Sequence, residues 1–207
     1  MDAVSAVAPP EVTPRADLAA VPLRILMVSD AWYPQVNGVV RTVSRLRDAL
    51  GAMGHTVGIV GPHLFRTMPC PTYPEIRLSI LPGSRLNRLI EHFRPDALHI
   101  VTEGPLGLAA RRWALRNGQC FTSSFHTRFP EYIRARTGFP MGVPYRFLRW
   151  FHGAAALTLV PTASLQEELR GRGFMHLECW TRGVDADRFH PEAAVIDWQA
   201  MYDERGP

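Results

Sequence analysis

The sequence predicts an α/β fold with a doubly wound parallel sheet, and three observations carry that prediction. Short apolar runs alternate with amphipathic stretches of about ten residues. Glycine or proline closes most of those stretches, and polar, glycine-bearing segments follow the apolar runs. At 207 residues, 46% hydrophobic and 20% charged, the chain has an ordinary globular composition with room for one large domain or two small ones.

The first unit sets the pattern. Ile25, Leu26, Met27 and Val28 form an apolar run that reads as a buried strand. Val39, Val43, Leu46, Leu50 and Met53 then recur at helical spacing, with Arg45, Arg47 and Asp48 on other faces. Between them lie nine residues, 30–38. Connections of this kind usually take roughly 2–6 residues, so the extra length marks a functional loop. Asn37 and Gly38 stand where the loop meets the first helical turn, and Val39 follows them. Free backbone N–H groups and the positive end of the helix dipole make such a place a seat for phosphate. Gly38 removes the side chain that would block close approach. The same pair suits a plain helix start equally well, and the residues alone leave both readings open.

Gly51 and Gly54 stop that helix, and residues 56–60 form a second strand closed by Gly61 and Pro62. Residues 63–74 are expected to be irregular, because Pro69, Pro71 and Pro74 exclude a helix or a central strand. Residues 76–81 are expected to be the third strand, followed by a helix over 85–93 with Leu86, Leu89, Ile90 and Phe93 on one face. A strand over 97–101 precedes a helix over 105–116 that should bury Leu106, Ala109, Ala110 and Trp113. Residues 120–124 form another strand. The next segment is rich in aromatics and arginine, with short helices expected over 130–135 and 143–152. A strand at 155–160, a helix at 164–170 and a strand at 177–181 complete the alternation, and the tail, 189–207, reads as irregular or weakly helical.

Composition excludes several chemistries. All 23 basic residues are arginine, which removes lysine Schiff-base chemistry and any Walker-type phosphate loop. The net charge of +4 is spread without the aromatic interleaving of a nucleic-acid surface. Cys70, Cys120 and Cys179 are far apart and odd in number, as expected of free thiols in a reducing compartment. Residues 1–22 lack the basic start and sustained apolar core of a signal peptide and read as a disordered leader. No stretch approaches the roughly 18 apolar residues of a membrane span, so a cytoplasmic location is expected. No Gly-x-Gly-x-x-Gly follows the first strand and no Gly-x-Ser-x-Gly turn occurs, which disfavours a dinucleotide dehydrogenase and a serine hydrolase. The eight histidines are scattered, so no metal site is expected.

Ligands of an open parallel sheet sit at the carboxyl ends of its strands. Those positions hold residues 29–38, 61–62, 102–104, 125–127, 161–162 and 182–185. His126 follows a strand, where an imidazole can donate to a sugar hydroxyl or a developing leaving-group charge. A satisfied structural histidine would read the same. Glu103 is either a carboxylate that binds an acceptor or a cap for the helix that starts at Pro105.

Five segments in order, DAWYPQVNGVVRT, PCPTYPEIRL, FRPDALHIVTEGPLGLAARRWA, SSFHTRFPEYIRAR and RGVDADRFHP, resemble the N-terminal domain of family 4 retaining glycosyltransferases of the GT-B fold. The subgroup they resemble is the GDP-mannose-dependent α-mannosyltransferases, with sulfoquinovosyltransferases and phosphatidylinositol mannosyltransferases as neighbours. The likeness runs over residues 23–191. It implies a Rossmann-like domain over residues 23–188 that forms the acceptor side, with 189–207 leading towards a second Rossmann-like domain. It also implies a nucleotide-sugar donor, GDP-mannose, a lipid or glycan acceptor, and no metal or other cofactor. By resemblance His126 is the catalytic residue. Asn37, Gly38, Val39, His126, Thr127, Arg182 and Gly183 face the donor, and Asp30, Tyr33, Glu103 and Gly104 face the acceptor. The family's second domain, with its Glu-x7-Glu pair and the basic residues that clamp the diphosphate, is not among these residues. The chain in hand is therefore expected to be one inactive half of a transfer site. The alternative is a non-catalytic module that binds acceptor, lipid or protein. Val143, Phe147, Trp150 and Phe151, interleaved with Arg146 and Arg149, either pack inward or form a peripheral surface for anionic lipid at the inner face of a membrane.

Overall fold

In the computed structural model, residues 21–70, 73–181 and 183 are described. Residues 1–20 of the expected leader, the tail and Arg182 lie outside the described residues. Six parallel strands form one sheet: β1 (Arg24–Val28), β2 (Thr56–Val60), β5 (Ala97–Ile100), β6 (Phe121–Ser124), β7 (Leu157–Val160) and β8 (Leu177–Cys179). Their order is β2-β1-β5-β6-β7-β8, in register Met27–Ile59, Met27–His99, His99–Thr122, Ser123–Thr158 and Leu159–Glu178 at successive neighbours.

The apolar runs of β1 and β5, at the middle of the sheet, are buried on both faces, as a parallel sheet covered by helices requires. Leu26 and Val28 point into a core shared with α2 (Gly83–Phe93) and α3 (Pro105–Arg116), where Leu86, Ile90, Leu106 and Ala110 lie. Met27 points the other way, against Val40 and Val43 of α1 (Gly38–Ala52). Near β7, Leu148 of α5 (Gly142–His152) and Leu165 and Leu169 of α6 (Ala163–Gly171) pack around Phe125 and Val160. The shorter α4 (Phe129–Thr137) precedes α5.

Residues 63–79 depart from expectation. After a single 3-10 turn, Pro62–Leu64, the strands β3 (Thr67–Cys70) and β4 (Tyr73–Ser79) pair antiparallel in a separate ribbon, with an irregularity between Pro69 and Cys70. The expected third strand of the main sheet is β4 of this ribbon. In a two-stranded ribbon both outer edges are free, so a proline without an N–H is tolerated where a central strand would lose a ladder bond. Arg77 ties the ribbon together by donating from Nε to Thr67 Oγ1 at 3.1 Å and from Nη2 to the Thr67 carbonyl at 3.2 Å. In α3, Ala109 and Trp113 are only half-buried against the core, while Ala114 and Arg111 are buried. Arg111 reaches the last turn of α5, donating from Nε to the Phe151 carbonyl and from Nη2 to that of Trp150. Its guanidinium also stacks 3.8 Å from the Trp150 ring centre.

Candidate active site at the switch point of the sheet

The chain runs from β1 outward to β2 and then returns to place β5 on the other side of β1. The two connections diverge there, and a crevice opens beyond the carboxyl ends of the strands, the usual ligand position in such sheets. It is a cleft of about 520 Å³. The loop after β1 contributes Asp30, Gln35 and Asn37, the loop after β5 contributes Thr102, Glu103 and Gly104, and the loop after β6 contributes His126 and Thr127.

Asp30 locks two of these loops together. Its backbone N–H donates to Thr102 Oγ1 at 2.7 Å, and that hydroxyl donates back to Asp30 Oδ2 at 2.9 Å. Its carboxylate also accepts from the first turn of α3, Oδ1 from Leu106 N–H at 2.9 Å and Oδ2 from Gly107 N–H at 3.2 Å. Gly104, the residue before α3, has no side chain to cap the helix, so Asp30 supplies the cap from another loop. A Cβ on Gly104 would stand 2.5 Å from the Asp30 carboxylate carbon, which is why glycine is needed there. Burial pushes the Asp30 carboxyl up to about 6, against the lowering effect of these hydrogen bonds, with Glu103 adding a small upward push.

The start of α1 forms another wall. Asn37 is extended, and its Oδ1 accepts from Val40 N–H at 3.0 Å, so the side chain is a helix cap. Gly38 and Val39 follow as the first helical residues and line the cleft. A Cβ on Gly38 would meet nothing within 4 Å among the described residues, so nothing crowds the helix start on that side. The capped helix start is present, and Gly38 and Val39 stand beside the cleft.

His126 is half-buried, held by Phe125, whose N–H donates to the Leu159 carbonyl at 2.9 Å. Its ring meets Trp180 edge-on, with centres 6.4 Å apart. Glu103 is 9% exposed, and its Oε1 lies 3.1 Å from His152 Nε2. Tyr33 is not among the residues that line the cleft. It stands 48% exposed, accepts a 3.4 Å hydrogen bond from Ser44 Oγ of α1, and packs edge-on against Trp32. Gly183 is exposed and likewise not part of the lining.

Sequence reasoning missed the apolar walls. Cys70 of β3, with Ile76 and Leu78 of β4, faces the cleft from the ribbon, and Phe129 and Tyr132 face it from α4. The aromatic content of the segment after His126 was the available signal for α4; nothing in the proline-rich stretch announced a ribbon. Among the described residues no group of three or more His, Cys, Asp or Glu is placed to hold a metal ion.

Residues 36–188 match the family described as Glycosyltransferase Family 4. A GDP-mannose-dependent alpha-mannosyltransferase of Mycobacterium tuberculosis is 27% identical over 190 residues, covering 83% of this chain and 50% of the relative. The protein of the same name from Corynebacterium glutamicum is 23% identical over 202 residues, 89% of this chain and 49% of the relative. Sulfoquinovosyl transferase SQD2 of Arabidopsis thaliana is 33% identical over 130 residues, 61% of this chain and 26% of the relative. The chain spans about half the length of the mannosyltransferases it matches. Among solved structures, L-threonine 3-dehydrogenase of Trypanosoma brucei matches with a TM-score of 0.36 at 11% identity over 67% of this chain and 52% of that one, a likeness too loose to argue from.

Proposed function

This chain belongs to glycosyltransferase family 4, and on that footing we propose that it forms the acceptor-side half of an enzyme that moves a hexosyl group from a nucleotide sugar to a hydroxyl. The observation that carries the reading is convergence: an open helix start, a histidine beside it and a buried carboxylate meet in one cleft at the switch point. The Gly38 and Val39 amides stabilise the diphosphate as charge develops on it. His126 donates to the donor sugar, and Thr127 stands beside it. On the acceptor side are Glu103 and Gly104, with Asp30 as the anchor that fixes both. Tyr33, away from the lining, bears on the site only through its contact with Ser44 of α1.

Transfer proceeds on one face of the sugar, with retention. The bond from the anomeric carbon to the phosphate oxygen breaks, the bond to the acceptor oxygen forms, and the acceptor proton passes to the leaving phosphate oxygen. No metal is required, because amides and basic side chains meet the phosphate charge. The names of the mannosyltransferase relatives favour mannose and a GDP donor; that a second Rossmann-like domain delivers the donor, in the cytoplasm, is part of the same proposal. The test is to supply the complete polypeptide with GDP-mannose, and in parallel UDP-hexoses, and to follow hexosyl transfer to an alkyl hexoside by mass spectrometry. Transfer that His126→Ala slows at least about a hundredfold, without loss of folding, supports the reading. Wild-type turnover in that variant removes His126 from it, and no transfer by the wild type removes the enzyme.

A specific observation favours a second role, peripheral contact with a lipid surface. Of the four apolar residues that the sequence singled out in α5, only Phe151 is buried. Val143, Phe147 and Trp150 are 53%, 39% and 53% exposed, beside exposed Arg146 and Arg149. Apolar rings amid arginine match an anionic membrane surface. Among the described residues no helix is long and apolar enough to cross a membrane. Sedimentation with phosphatidylglycerol vesicles checks this: salt-sensitive binding that Phe147→Ser with Trp150→Ser abolishes is expected, and binding unchanged by the pair would refute it.

A further inference from the structure

Beneath the cleft, a row of buried polar groups runs from Glu103 into the sheet, and the transfer reading gives a task to none of its members beyond Glu103. Glu103 Oε1 meets His152 Nε2 at 3.1 Å, His152 Nδ1 meets Ser123 Oγ at 2.9 Å, and Ser123 Oγ meets Thr158 Oγ1 at 2.9 Å. His152, the last residue of α5, is 1% exposed, and Ser123 and Thr158 are fully buried. The Phe151 and Phe125 rings, centred 5.2 and 5.8 Å away, hold the imidazole plane.

A buried polar row of this kind is costly unless each member is paired, and apolar residues would fill the same space at lower cost. The donors run in one direction. With the neutral ring protonated at Nε2, as an ionised Glu103 requires, Nε2–H donates to Glu103, Ser123 donates to Nδ1 and Thr158 donates to Ser123. If the ring takes a second proton, both hydroxyls turn over and every bond survives. The row therefore fixes one carboxylate oxygen whichever state the ring is in.

We propose that His152 is a positioning residue: it holds Glu103 so that the second carboxylate oxygen accepts a hydrogen bond from an acceptor hydroxyl next to the attacking one, which orients the acceptor and leaves the attacking proton free to pass to the phosphate. The inference rests on the sugar-transfer reading. Its test uses the complete polypeptide, with GDP-mannose as donor and octyl mannoside as acceptor probe. His152→Asn places an amide where Nδ1 stands, keeping Ser123 but abandoning Glu103. His152→Gln places its amide near the Nε2 position and keeps Glu103. The expected result is an acceptor KM raised about tenfold or more in Glu103→Gln and His152→Asn. The donor KM stays unchanged, the double variant is no worse than either single one, and His152→Gln recovers most of the loss. Melting curves establish that each variant is folded. An acceptor KM within twofold of wild type in His152→Asn, or effects of the two sites that add, would overturn the inference and leave the transfer reading standing. A wild type that transfers no hexose overturns both.

Discussion

Three donors hold the Asp30 carboxylate, the Leu106 and Gly107 amides and the Thr102 hydroxyl, yet burial outweighs them and pushes the group up to about 6. That balance has a sign. A carboxyl whose folded pKa exceeds its unfolded value binds more protons when folded. Its stabilising contribution is complete below the unfolded value of 3.8 and is lost as the pH rises through about 6. The loss is on the order of 3 kcal/mol from this group. Asp30→Asn is uncharged throughout, so it should lower stability overall through its poorer fit to three donors while removing that pH dependence. Urea unfolding of both proteins from pH 4 to 7 measures it: the wild type should lose stability relative to the variant as pH rises. Parallel curves would show that the ionised form is tolerated in this loop. His99 presents the opposite case. Burial pushes its imidazole down to about 4, and it stays neutral between Thr122 Oγ1 and Ser124 Oγ, joining β5 to β6 away from the chemistry.

Two helix starts, alike in sequence, differ as elements. In α1 the cap is local, from Asn37, and Gly38 faces open space among the described residues. In α3 the cap is remote, from Asp30, and a Cβ on Gly107 would lie 1.8 Å from the Thr102 carbonyl. Gly107→Ala should therefore cost about 1–3 kcal/mol or more by overpacking against the backbone. Gly38→Ala should leave stability within about 1 kcal/mol of wild type, its methyl intruding only where a diphosphate would sit. Denaturant midpoints of the two variants give the comparison, and a larger loss in Gly38→Ala would contradict this account. The elements that were legible in sequence share a physical cause. Residues 25–28 form an unbroken apolar run, and the polar members of 97–101 and 157–160, His99 and Thr158, are buried against hydroxyl partners, so each strand still reads as apolar, and the loops after them fall at one edge by topology alone. The β3–β4 ribbon was illegible because its prolines, read as breakers, are tolerated on free edges. His152 was illegible for another reason: it ends a helix far along the chain from Glu103, and only tertiary packing brings the two together.

At the scale of the whole molecule, the cleft has one well-made wall. Its described lining contains the Gly38 and Val39 amides and His126 but no arginine, and much of the rest is apolar, from Val39, Ile76, Leu78 and Phe129. A nucleotide-sugar diphosphate brings two negative charges and a large polar base to that surface. A hydrogen bond to a charged group contributes about 1.5–3 kcal/mol, so two or three supply at most about 9. Association itself costs at least about 4 kcal/mol and often far more. The difference is at most about 5 kcal/mol, little beyond the 4.1 kcal/mol of a millimolar complex. The 207-residue chain alone is therefore expected to bind GDP-mannose no more tightly than about 0.2 mM, and to transfer no sugar. Titration calorimetry of the chain with GDP-mannose checks the first point, and the same titration on the complete polypeptide should give micromolar affinity. Micromolar binding by the chain alone would mean that its own residues recognise the nucleotide, and that the division of donor and acceptor between two domains is wrong.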